Sequence, residues 1–394
     1  MVRHTDGTVA TLRALRRRWW GAALLSTTAL AAGYAWLRAG WDAGLASRWA
    51  LLTAAALAFV LATVWRNLPH NRLPGQALLS GLGPANWVTI LRAILLALLA
   101  GFILLPRPMG ALAWVPAILY TVAIAADLLD GALARLTRRV TVLGATLDMA
   151  FDGLGLLVAV TLAVRYGQLP WLYLLVGLAR HLFVAGLWWL ARQGRPTYDL
   201  TPSTFRRIAA GLQMAFISVI LWPLFGPPAT FVAGACFGIP FLVGFARDWL
   251  VVSGAVDPAS AGYRRAIGWY ARLARWLPPA LRLSGAALAA GVLGPRLWGP
   301  LPASYLALGP TGTVLAMGAG ALALFAAALL ALGAVSRLAA LGLLAATCLD
   351  LAVGGYRPYH AGLLIAAIGL LYLGGGAYAL WRADDALFAR RAGR

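Results

Sequence analysis

Carboxylates are scarce in this chain, with 12 Asp plus Glu among 394 residues, yet four of them crowd the stretch from Asp127 to Asp152. Asp127 and Asp130 are three apart and Asp148 and Asp152 four apart, spacings that put each pair on one face of a helix. Gly131 and Ala134 share the face of the first pair, and Gly144 lies one turn before Asp148. Small residues there leave room for a ligand and let two helices approach closely. Four converging carboxylates repel one another and lose several kcal/mol of hydration at a membrane interface, so the site calls for cations. An all-oxygen set with no His or Cys nearby suits hard ions, Mg²⁺ or Mn²⁺, rather than zinc. A pair of such ions is a recurring device for phosphoryl transfer, and Arg135 adds a cation for phosphate recognition. Two other readings stand beside this one. The acids can be juxtamembrane partners of Arg135, Arg138 and Arg139, or the cation-coupling site of a polytopic transporter, because intramembrane acids also mark ion pathways.

The elements that must position these residues are membrane spans. The chain is 62% hydrophobic and 11% charged, with a mean hydropathy of +0.80, whereas a soluble domain is about 25% charged. Apolar runs of spanning length predict an all-α polytopic membrane protein of about twelve helices. They fall near 19–37, 49–65, 86–105, 111–134, 144–164, 170–191, 207–224, 228–246, 283–298, 312–333, 337–353 and 360–381. The net charge of +21 comes from arginines gathered in alternate loops, a topogenic pattern rather than a nucleic-acid surface. With both termini inside, the inner loops hold Arg3 to Arg18, Arg66, Arg72, Arg135 to Arg139, Arg192 to Arg207, Arg247 to Arg282, Arg337 and Arg382 to Arg394. The outer loops hold only Arg38, Arg48, Arg107, Arg165, Arg296 and Arg357. The four aspartates thereby fall toward the cytoplasmic side of the cytoplasmic membrane. The first apolar run is too long for a signal-peptide core and reads as an uncleaved anchor. Cys236 and Cys348 lie inside apolar runs and read as neither a disulfide nor a zinc site.

Three blocks and one connecting helix emerge: two N-terminal spans and a turn-rich linker (1–75), a six-helix block (76–252), a basic amphipathic interfacial helix (253–282) and a four-helix block (283–394). The spacing Asp127-x2-Asp130-Gly131-x2-Ala134-Arg135-x8-Gly144-x3-Asp148-x3-Asp152 resembles, at every fixed position, the signature of the CDP-alcohol phosphatidyltransferase family. The resemblance covers residues 76–252. It implies a six-helix bundle in which Asp127, Asp130, Asp148 and Asp152 bind two divalent ions and Asp152 also acts as base toward an acceptor hydroxyl. It further implies a CDP site lined by Gly131, Ala134, Arg135 and Gly144, a CDP-alcohol donor such as CDP-diacylglycerol, an alcohol acceptor, and a homodimer. The expected activity is transfer of the phosphate-linked group, release of CMP and formation of a phospholipid.

Flanking stretches bear on the substrates. Asn86, Thr89 and Arg92 resemble the family's N-x2-T-x2-R opening, with Arg92 near the phosphates or simply snorkelling to the interface. Ala179-Arg180-His181 through Trp188 resembles the A-R-E-x3-S-G-L-R stretch of phosphatidylglycerophosphate synthases, with His181 in place of Glu and Trp188 in place of Arg. Arg180 is a candidate for holding a phosphorylated acceptor unless it pairs with a buried Asp, and His181 reads first as a satisfied structural histidine. Pro202-Ser203-x2-Arg206-Arg207-x5-Gln213 resembles P-S-x2-G-K-x5-Q, which makes Arg206 and Arg207 candidate headgroup or acceptor ligands beside an anchoring role. These departures leave the acceptor open. The last block is similar, in its Leu332-Gly333-x3-Arg337 and Gly374 to Tyr378 stretches, to DoxX-like membrane proteins, and Asp350, Tyr359 and His360 read there as loop anchors.

Overall fold

A computed structural model describes residues 2–200 and 203–384; Pro202 and the basic tail from Arg390 to Arg394 lie outside the described residues. Thirteen α-helices follow one another, with no β-strand among the described residues: α1 (Val2–Gly40), α2 (Ala43–Asn67), α3 (Gly83–Ala100), α4 (Val115–Leu136), α5 (Val142–Arg165), α6 (Leu174–Arg192), α7 (Thr204–Ile220), α8 (Ala229–Val252), α9 (Ala261–Leu288), α10 (Ala303–Leu306), α11 (Gly309–Leu332), α12 (Ser336–Gly354) and α13 (Pro358–Leu373). Nine helical stretches among the described residues are long and apolar enough to cross a membrane, and Pro358–Leu373 is a shorter apolar helix. The chain is therefore an integral membrane protein. The segment 19–37 is not one of the nine, because its Ala and Leu are diluted by Trp, Tyr, Gly, Ser and Thr and it holds no Ile, Val or Phe.

The chain divides into two compact units, 1–178 with 214–223 and 179–213 with 224–394. In the first unit, Leu57, Val60 and Val64 of α2, Ile90, Ala93, Ile94 and Ala97 of α3, and Leu143, Leu147 and Phe151 of α5 form one buried cluster. Within a membrane such contacts do not remove apolar surface from water, so close van der Waals packing and interhelical hydrogen bonds hold these helices together. α3 is its organiser, packing against α2, α4 and α5. The linker before α3 is tied down by Asn71, whose amide donates to the carbonyls of Leu79 and Gly81, each at 3.0 Å. Asn86 of α3 donates to Asn71 Oδ1 at 3.2 Å and to Thr141 Oγ1 at 3.1 Å. Thr141 is also the N-cap of α5, accepting from the Gly144 amide at 3.0 Å. This buried polar chain fixes where α5 starts, and with it where Asp148 and Asp152 point.

In the second unit, α6 meets α8 through Phe183, whose ring lies edge-on to Phe245 and Trp249. The Tyr372 hydroxyl of α13 donates to the Phe237 carbonyl of α8 at 3.0 Å. The interfacial helix and the span expected to follow it are one continuous helical stretch, Ala261–Leu297, with no break at 282. Arg282 is 4% exposed rather than interfacial. Its guanidinium donates to the carbonyls of Leu330 (3.1 Å), Gly375 (2.9 Å), Ala377 (3.2 Å) and Tyr378 (3.3 Å). It thus satisfies the C-terminal end of α11 and a loop that would otherwise leave orphan carbonyls. That loop explains why the last apolar run, expected to stay helical to 381, stops at Leu373: Gly374 and Gly376 take positive φ of 76° and 65°. Asp350 of α12 is fully buried and accepts four bonds, from Tyr305 (2.8 Å), Arg296 (3.3 Å), Tyr359 (2.7 Å) and His360 (3.0 Å). The Arg357 amide donates to His360 Nδ1 at 2.8 Å, which leaves Nε2 carrying the proton given to Asp350. Cys236 and Cys348 are both free thiols.

Candidate active site

All four motif aspartates belong to the first unit, Asp127 and Asp130 on α4 and Asp148 and Asp152 on α5. The sequence suggests that these two helices approach each other directly. Instead α3 packs on both, and the residue it sends between the carboxylate pairs is Arg92. Its side chain is 2% exposed and does not snorkel. One guanidinium nitrogen pairs with Asp127 and lies 3.8 Å from Asp130, while the other lies 3.0 Å from Asp148 and 2.9 Å from Asp152. A buried, unpaired guanidinium would be prohibitively costly; four carboxylates offset that cost and are in turn held apart by it. Arg135, Arg138 and Arg139 form no ion pair with these acids among the described residues, so the loop-arginine reading is replaced by Arg92.

The four carboxylates are not equivalent. Asp130 is 8% exposed and receives a hydrogen bond from Thr89 Oγ1 at 2.8 Å, so it is fixed from the α3 side. Asp127, Asp148 and Asp152 are 25%, 45% and 35% exposed, open to a ligand. Each of these three offers one oxygen, and the oxygens lie within 4.8 Å of one another. One guanidinium leaves most of the negative charge of four carboxylates unbalanced, and the donors are all carboxylate oxygens. Hard divalent ions fit that donor set.

The small motif residues have specific neighbours. A methyl group at Gly144 would stand 2.6 Å from Asn86 Oδ1, so the glycine is demanded by the polar chain that seats α5. Arg135 folds back along its own helix so that a methyl at Gly131 would lie 3.3 Å from its Nη1. It is exposed at the end of α4, where a cation can meet an anionic ligand, and Ala134 is half-buried beside it.

The candidate acceptor residues belong to the second unit. Arg180, half-buried on α6, forms no ion pair among the described residues, so the alternative of a structural Asp partner is not met there. His181 is likewise not the satisfied histidine expected, since its Nδ1 is buried without a hydrogen-bond partner. Arg206 is engaged by the buried Asp248 at 3.2 Å, and Arg247 holds the same carboxylate at 2.5 Å. Arg207 is exposed on α7.

Residues 83–253 match the family model of CDP-alcohol phosphatidyltransferases. This segment is a CDP-alcohol phosphatidyltransferase domain. No curated protein and no solved structure matches the chain significantly. A CDP-alcohol phosphatidyltransferase domain carried on apolar helices of spanning length makes this a membrane transferase, of a family whose substrates are a CDP-alcohol and an alcohol and whose members typically use divalent metal.

Two residues of the CDP-alcohol phosphatidyltransferase domain that contact or border the carboxylates were not legible as site residues. Thr89 stands in the α3 motif, but only the fold puts its hydroxyl on Asp130. Tyr120 sits about two turns before Asp127 in an apolar run. Its hydroxyl is buried without a partner, and with Arg92, Phe151, Asp152 and Gly155 it lines a cavity of about 10 Å³, room for one water molecule. An unpaired tyrosine amid apolar residues has no sequence signature that separates it from core.

Proposed function

We propose that this protein is a divalent-metal-dependent CDP-alcohol phosphotransferase of the cytoplasmic membrane, with its carboxylate site facing the cytoplasm, that makes a phospholipid from CDP-diacylglycerol and an alcohol. The observation that carries the reading is the convergence of Asp127, Asp148 and Asp152, with oxygens within 4.8 Å of one another, around a buried Arg92. Such a cluster is electrostatically incomplete and accessible, which is what a metal and diphosphate site requires. Asp127, Asp130, Asp148 and Asp152 would hold two Mg²⁺ or Mn²⁺ ions, whose chemistry there is to neutralise the negative charge of the donor's diphosphate.

The chain's own residues supply the rest. Asp152, on α5 and 35% exposed, takes the proton of the acceptor hydroxyl, a poor nucleophile at neutral pH without a base within hydrogen-bond reach. The acceptor oxygen forms its bond to the donor's lipid-linked phosphorus as the bond to the CMP oxygen breaks, and CMP leaves with that electron pair. Arg135, exposed and without an ion-pair partner among the described residues, binds the donor phosphates. Arg180, an uncompensated cation in a membrane helix, serves an acidic acceptor group, with Arg207 as a second candidate and His181 beside them; Arg206 does so only by leaving Asp248.

The test is CMP release from CDP-diacylglycerol by the purified protein with Mn²⁺ or Mg²⁺ and a panel of alcohols, glycerol 3-phosphate among them. Metal-dependent release, reduced at least a thousandfold in Asp152→Asn, is the expected result. A folded protein that releases no CMP with any donor and acceptor would overturn the enzyme reading and favour the cation-coupled transporter.

A further inference from the structure

The helical stretch Ala261–Leu297 is 37 residues long. At 1.5 Å per residue it measures about 55 Å, well beyond a hydrocarbon core of about 30 Å. Its first half carries Arg264, Arg265, Arg272 and Arg275 with exposed Trp269, Tyr270 and Trp276, and no acidic residue. From Leu277 to Leu293 the outward side chains are apolar except Ser284, whose hydroxyl donates back to the Leu281 carbonyl, and Arg282 is buried against backbone carbonyls. The pair Arg275–Trp276 therefore marks the level at which this helix passes from water to membrane, the depth at which lipid phosphates and aromatic belts sit.

At that level the second unit has a cavity of about 680 Å³, lined by Arg275, Trp276, Gly376, Tyr378 and Arg382 with small residues of α9. The cavity size suits a small polar group with its linker. Its floor is built rather than incidental. The Ala377 amide donates to the Arg275 carbonyl at 2.8 Å, and a methyl at Gly376 would lie 2.6 Å from Pro278. Tyr378, a bulky residue, is held at a positive φ of 56°, a backbone state that persists only where the surroundings impose it. Its ring stands 6.0 Å from Trp276, nearly edge-on, and it remains 76% exposed. Neither Arg275 nor Arg382 has a carboxylate partner among the described residues. Arg275 lies over the Trp276 ring at 5.4 Å, and Arg382 donates one bond, to the Gly376 carbonyl at 2.5 Å.

We propose that this cavity binds the phosphate headgroup of an anionic membrane phospholipid, with Arg275 and Arg382 on the phosphate and Trp276 and Tyr378 against the glycerol and upper acyl chains. Two guanidinium groups with no carboxylate partner among the described residues give charge-assisted bonds to phosphate oxygens. The aromatic walls suit a ligand that is apolar at one end and wet at the other. The site shares no residue with the aspartate cluster and does not depend on the activity assigned to it.

The experiment is native mass spectrometry of the full-length protein, delipidated in detergent and titrated with phosphatidylglycerol, phosphatidylcholine or inorganic phosphate. Three forms are compared: wild type, Arg275→Gln/Arg382→Gln, and a charge-matched control, Arg265→Gln/Arg272→Gln, altered at exposed arginines of the same helix outside the cavity. The expected result is one phosphatidylglycerol retained by wild type and by the control, with affinity down about 100-fold in the cavity variant, from about tenfold for each charge-assisted bond. Trp276→Leu, which keeps both charges, weakens retention less, and unfolding temperatures show that each variant is folded. Equal loss in the cavity and control variants would reduce the effect to general surface charge and overturn the site. Equal binding of phosphatidylcholine would overturn anion recognition, and binding of inorganic phosphate as tight as that of the lipid would overturn the lipid as ligand.

Discussion

Replacing Arg92 by glutamine keeps a polar side chain of similar reach and removes the charge that four aspartates share. Two unit charges about 3 Å apart, as for Arg92 with Asp148 and Asp152, attract by about 5 kcal/mol at an effective dielectric constant of about 20. Those carboxylates are 45% and 35% exposed, so solvent screens much of that attraction. Breaking one partner of a buried ionic network costs about 3–5 kcal/mol. After screening, the low end, about 3 kcal/mol, is the expected loss of metal-free stability. By tryptophan-fluorescence thermal unfolding in detergent with EDTA, Arg92→Gln should unfold roughly 4 °C or more below wild type. Mn²⁺ should then raise the variant's Tm more than the wild type's, because added cations supply the charge that the guanidinium no longer does. Arg92→Lys should fall between the two, since a point charge on a flexible stem cannot address both carboxylate pairs as a planar fork does. A metal-free Tm within about 1 °C of wild type, with an unchanged Mn²⁺ response, would refute the idea that Arg92 is the internal countercation of this site.

Other substitutions separate the roles of neighbouring residues. Asp148→Asn should weaken Mn²⁺ binding, measured by electron paramagnetic resonance of free Mn²⁺, at least tenfold while leaving the fold intact, as the side chain is 45% exposed. Gly144→Ala should cost about 1–3 kcal/mol and depress activity, because its methyl meets Asn86 at 2.6 Å where α5 begins; an unchanged Tm would contradict that packing. Tyr120→Phe should leave Tm within about 1 °C, since its hydroxyl has no partner to lose. A change in kcat without a change in KM would then mark the hydroxyl as acting beside Asp152. Asp350→Leu should destabilise the protein by about 3–5 kcal/mol, because four donors, one of them Arg296, lose a buried acceptor. Asp350→Asn, which keeps an acceptor oxygen, should cost less in the same thermal assay.

How far the sequence reaches can be judged residue by residue. Apolar runs predicted the all-α membrane architecture because a span must satisfy every backbone group internally, so length and hydropathy are decisive. They missed helix ends set by particular contacts: α13 stops at Leu373 because Arg282, far away in sequence, gathers the carbonyls of the Gly375–Tyr378 loop. They also divided Ala261–Leu297 into two helices where a change of polarity marks only a change of surroundings.

For the site, spacing alone identified Asp127, Asp130, Asp148 and Asp152 and the kind of ion they suit, since i, i+3 and i, i+4 positions share a helical face whatever the fold. Which carboxylates stay open, and what lies between them, was decided by the packing of α3 against both α4 and α5. That packing made Arg92 the countercharge, put Thr89 on Asp130 and turned Gly144 toward Asn86. Periodicity is a property of one helix and is written locally in the chain. The partner of a buried charge is set by which helices lie side by side, and in this protein that third helix carried the cation between the two aspartate pairs.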